Sequence, residues 1–106
     1  MSGLGPRGTS ATPVAILGGA THAISFTGTS ARNTTAFNAR TRVLWAMVAD
    51  QDCFIRVGDS TVTATTADVF LRAGVAYSFG IDSDITNLAV IQSTTAGTLR
   101  FFESKP

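Results

Sequence analysis

Short apolar runs, each cut by a Gly, Asp or Thr/Ser cluster roughly every 8–12 residues, constrain this chain more than any other feature. No run carries a convincing 3.6-residue apolar period, so strands are expected and helices are not. Residues 42–58, RVLWAMVADQDCFIRVG, set the pattern. Val43, Trp45, Met47 and Ala49 alternate with Leu44, Ala46 and Val48, apolar on both faces. That predicts a central strand covered on both sides, with Trp45 packed in the core. Ala49-Asp50-Gln51-Asp52 suits a reversal. Cys53, Ile55 and Val57 then resume an apolar face with Arg56 outward. The stretch reads as a hairpin to which the rest of the chain pairs.

The flanking segments extend this reading. Val14 to Leu17 is a brief apolar run ended by Gly18-Gly19. His22, Ile24 and Phe26 then share one face of a half-buried strand. Residues 31–39 read as an irregular strand or a loop pinned by Phe37. Residues 59–68 form a Thr-rich loop anchored by Val62, and residues 69–72 a compact strand. Val75, Tyr77, Phe79 and Ile81 are expected inward. Residues 88–92 (LAVIQ) predict another central strand, and residues 98–103 the last one, with Leu99 and Phe101 inward. The total is seven to eight short strands, which predicts an all-β fold: an antiparallel β-sandwich, jelly-roll-like. Residues 1–13, rich in Gly and Pro, read as a flexible or extended N-terminal arm, and residues 14–106 as a single sandwich domain.

Little in this pattern asks for chemistry. His22 is the only histidine and Cys53 the only cysteine, and no G-x-S-x-G elbow surrounds any serine. His22 therefore reads as a strand residue and Cys53 as a small buried apolar side chain. The pairs Asp50/Asp52 and Asp82/Asp84 fall where turns are expected, so turn bonding outweighs a metal site. The Asn33-Thr34-Thr35 sequon reads as a chance match. Trp45 with Tyr77 is the one combination that suggests a sugar platform. No catalytic residue, cofactor or metal site is expected.

Charge points to a protein partner. Charged residues make up 14% of the chain, about half the usual share, and the net charge is +1. Part of the surface is therefore expected to be covered by another chain. Neither nucleic acid nor membrane is an expected partner, because the basic residues do not cluster strongly and no apolar run spans a bilayer. No charged start precedes an apolar core, so a secretory signal is not expected. Seven of the eight basic residues are Arg, a residue favoured at protein interfaces. Leu4 and Arg7 in the arm, with Arg32, Phe37 and Arg40 in the irregular segment, are the candidate contact residues.

Three segments in order, VLWAMVADQDCFIRVGD, TATTADVFLRAGVAYSFGI and LAVIQSTTAGTLRFFE, resemble small virion proteins of tailed bacteriophages. The likeness covers the C-terminal two-thirds of the chain. It rests on a strand ending in D-C-F-I-x-x-G, an F-L-x-A-G segment and a closing hairpin. The resemblance implies a non-enzymatic capsid cement or decoration protein. Such a protein would bind the major capsid protein at the virion surface, self-associate as a homotrimer and assemble in the host cytoplasm. A tail or head–tail component, or a carbohydrate- or receptor-binding sandwich, are the alternatives.

Overall fold

The computed structural model describes residues 15–105, and side chains from 21 to 104. Among the described residues there are eight strands and no helix. They are β1 (Ala15–Phe26), β2 (Ala31–Arg32), β3 (Val43–Ala49), β4 (Cys53–Gly58), β5 (Val69–Leu71), β6 (Tyr77–Gly80), β7 (Asn87–Gln92) and β8 (Gly97–Lys105). Two antiparallel four-stranded sheets result, ordered β1-β8-β3-β6 and β2-β7-β4-β5. β1 pairs with β8, β2 with β7, β3 with β6 and β4 with β5. These are the nested pairings of a jelly roll: one long hairpin, closed at β4–β5 and rolled until β3 meets β8 and β4 meets β7.

The expected hairpin at residues 42–58 is therefore not a hairpin. β3 belongs to the first sheet and β4 to the second, so residues 50–52 carry the chain across the sandwich. β7 and β8, expected to close the fold as a hairpin, also lie in different sheets. Alternation tells which side chains are inward but not which sheet a strand joins. The aspartates of the β3–β4 crossover bond not their own turn but distant segments, tying the crossover to the start of β8 and to the loop after β5. Asp50 Oδ1 accepts the Thr98 N–H at 2.7 Å, and Asp52 Oδ1 accepts the Ala73 N–H at 2.7 Å. At the N-terminal end, the two expected short strands are one. Gly18 and Gly19 fall within a register shift between Ile16 and Thr21, so the chain bulges there without leaving the ladder.

β3 departs from strict alternation at Ala46. Leu44 and Met47 oppose Phe79 and Tyr77 on one side, while Trp45 and Val48 oppose Phe102 and Arg100 on the other. Each time, β3 spends one residue more than its neighbour. The extra residue is Ala46, with a left-handed φ of 53°. The bulge turns Leu44, Met47 and Ala49 into the core and pushes Trp45 and Val48 out, 38% and 36% exposed. Trp45 is thus an outer-face residue, contrary to its expected place in the core. An L-residue held at this φ costs about 1–2 kcal/mol. Ala46→Gly should raise stability by up to about 1 kcal/mol after the extra chain entropy of glycine is counted. A urea midpoint that falls, or stays where it was, would show that Ala46 carries no strain.

The core joins both sheets: Phe26, Leu44, Met47 and Leu99 meet Cys53, Leu71, Leu88 and Val90. β7 is an inner strand, as its apolar run predicts, with Leu88, Ala89 and Val90 fully buried. Tyr77, Phe79 and Ile81 pack against the core as expected. Val75 does not: it precedes β6 and is 41% exposed.

Candidate functional site

At one side of the sandwich the edge strands β1 and β2 leave a cleft of about 580 Å³. One wall is residues 21–25 of β1; the other is residues 31–36, from β2 into the loop that follows. Asn38 and Glu103 also line it, with His22 of the first wall at their side. The parity of β1 sends His22 inward with Ile24 and Phe26, and that of β8 sends Glu103 inward with Leu99 and Phe101. Two ionisable groups thereby enter the interior, and each needs a partner there.

They find each other. His22 Nε2 lies 2.5 Å from Glu103 Oε2, with the two side chains 10% and 4% exposed. Glu103 Oε1 accepts the Asn38 N–H and the Thr41 hydroxyl, each at 2.6 Å. The imidazole stacks on Phe101 at 4.9 Å and meets the edge of Phe37 at 5.5 Å. With Nε2 turned to the carboxylate, Nδ1 makes no hydrogen bond to any described residue. The arrangement is a fixed polar floor: a carboxylate orients a ring, and aromatic contacts hold its faces. Among the described residues no hydroxyl or thiol hydrogen-bonds His22, and no three His, Cys, Asp or Glu side chains gather as metal ligands.

Asn33 closes the upper end of the wall. Its Oδ1 accepts the Leu88 N–H at 2.8 Å and its Nδ2 donates to the Thr35 carbonyl at 2.6 Å. The side chain is buried and continues the β2–β7 ladder, so the sequon nitrogen is not available to a glycan.

The candidate contact residues separate. Leu4 and Arg7 lie outside the described residues. Arg32 is exposed on the cleft wall, its Nη1 donating to the Val62 carbonyl at 2.9 Å. Arg40 is exposed in the following turn, its N–H held by Asn38 Oδ1 at 2.8 Å. Phe37 is not a surface contact: it is 5% exposed and packs edge-on against Phe101 and His22. An aromatic among Thr and Asn is the anchor of its loop because it is the one large apolar group the loop can bury. Trp45 and Tyr77 do not form a platform. Trp45 is on the outer face, while Tyr77 packs inward beside Phe79.

Cys53 is a free, fully buried thiol on β4. Burial first, then the charges of Asp52 and Asp50, push it up to about 11 from an ordinary value of 9.0. The raised value favours the neutral thiol in the fold. Its contribution to stability is therefore complete below about pH 9 and disappears as pH rises through about 11. Iodoacetamide at pH 8 should leave Cys53 unmodified in the native protein and label it in urea. Fast native labelling would mean that β4 opens readily.

Exposed apolar side chains form two further patches. On the outer face of the first sheet, Trp45 and Val48 lie beside the half-buried Phe102. On the outer face of the second sheet, Phe70, 47% exposed, lies against Phe54 with ring centres 5.4 Å apart. No protein-family model, curated protein or solved structure matches the chain.

Proposed function

We propose that the chain is a non-catalytic structural protein of a tailed-phage particle, a cement or decoration protein that bridges neighbouring copies of the major capsid protein. The observation that carries this reading is the exposure of large apolar side chains on both outer faces of one small sandwich. Trp45 and Val48 sit on one face, and Phe70, packed against Phe54, on the other. A module with an apolar patch on each face can touch two neighbours at once. Each contact adds buried area, and repetition over a shell turns modest affinity per site into a firm coat. The low charge fits a surface that is covered in use. The resemblance of residues 42–103 to virion proteins supplies the identity of the shell.

The test is cosedimentation with empty shells of the same source. Trp45→Ser and Phe70→Ser change exposed side chains, so the fold should survive, and each should weaken shell binding by at least tenfold. Binding of both variants at the wild-type level would overturn the reading. The exposure of Trp45 also favours a second reading, a carbohydrate- or receptor-binding module. In that case glycans would shift Trp45 fluorescence saturably while shells would not bind.

A further inference from the structure

The cleft beside His22 has the form of a receptor for an extended strand. Both of its walls are runs of consecutive residues, 21–25 and 31–36, so the space is linear. Both runs border sheet edges: among the described residues, no strand pairs with the free side of β1 or β2. Alternate residues of an edge strand turn their N–H and C=O groups away from the ladder, and an added strand can take them up. The floor adds one side-chain hydrogen-bonding atom. His22, nine-tenths buried, has Nε2 committed to Glu103, and its Nδ1 is left without a described partner at the cleft floor. The lining carries no phenyl, phenol or indole face, and Phe101 and Phe37 already occupy the imidazole. A stacked sugar is therefore a poorer occupant than a peptide.

We infer that this cleft receives residues 7–12 of a second copy of the chain as an added strand. Fourteen residues precede Ala15, the first residue of β1. Within them, Pro6 and Pro13 lack the N–H a ladder needs and bracket a six-residue run, RGTSAT. That run matches the walls in length. Its Gly8, Thr9, Ser10, Ala11 and Thr12 are small, and a hydroxyl among them, donor and acceptor alike, can hydrogen-bond His22 Nδ1. In the same copy, a reversal at Pro13-Val14 would lay residues 7–12 beside residues 15–20 of β1, short of the wall at 21–25. A second copy delivers the same run without a reversal. This rests on the reading of the protein as a self-associating shell component and names the contact that would join the copies.

The experiment uses the full chain. A nitroxide is attached at Ser10→Cys in unlabelled protein; buried Cys53 should not compete for the reagent. The spin-labelled protein is mixed with 15N-labelled wild type. Amides of residues 21–25 and 31–36 in the 15N copies should broaden selectively. Thr35→Trp, at an exposed position on the wall, should abolish that broadening and weaken self-association by tenfold or more. Broadening of the 15N copies centred on Trp45, or no broadening in them at all, would each overturn the inference. Shell binding is measured separately: Thr35→Trp protein that is monomeric yet still cosediments with shells leaves the shell reading intact, whereas Trp45→Ser tests that reading without touching the cleft.

Discussion

Glu103→Ala should cost at least about 3 kcal/mol of folding stability, because each buried hydrogen-bonding group left unpaired costs about 1–3 kcal/mol and three are left so. In a domain of this size the total is about 5–15 kcal/mol, so the variant is expected to sit near its threshold at room temperature. Three donors lose their acceptor at once: the imidazole of His22, the Asn38 N–H and the Thr41 hydroxyl. Buried polar groups left unpaired pay their full desolvation. Glu103→Gln separates shape from charge. Its amide oxygen can still accept from Asn38 and Thr41, while the NH2 faces His22, whose ring must then accept at Nε2. Its loss should be clearly smaller than that of the alanine variant. Equal urea midpoints for the two substitutions would mean that the carboxylate's particular bonds matter little.

The second large effect is expected at Gly97→Ala, a loss of about 1–3 kcal/mol from overpacking. Gly97 begins β8 opposite Phe26, beneath the crossover that carries Asp50. A Cβ there would collide with Asp50 Oδ1 and approach Phe26 Cζ at 2.9 Å and Gln51 Cβ at 3.0 Å. The Phe26 ring is fully buried and has little room to move. The Asp50 carboxylate is tied to the Thr98 N–H. Gly28→Ala is the control, because its Cβ would meet Gln92 at an ordinary 3.6 Å. Thermal melts in which the two variants coincide would show that the β8 start and the β3–β4 crossover are not tightly apposed.

The sequence made the strands legible but not their partners. Alternation located β4, β6 and β8 with their inward side chains, because a period of two reports the face directly. It could not distribute β3 and β4 between sheets, since a crossover and a hairpin draw on the same turn residues. The bulge at Ala46 was invisible for a different reason. A glycine there would have signalled a left-handed residue, whereas alanine gives no hint, and Trp45 was assigned to the wrong face in consequence. The polar floor was half legible. Parity sends both His22 and Glu103 inward, and two inward ionisable groups in a chain with so few imply a pair. Their separation of 81 residues hid which groups would meet. Only the pairing of β1 with β8 brings them together.

That same pairing decides how the molecule meets mechanical load. Ala15 opposes Lys105 at one end of an antiparallel ladder. Tension between these two residues falls on the first rung alone, then on the next, because the bonds lie across the strands and open singly. The domain unzips under a pull on its ends, whereas pressure on its broad faces is shared by both sheets and the core between them. The fold yields first to a pull at the Ala15–Lys105 end of β1 and β8, one rung at a time, and last to a load carried across both sheets together.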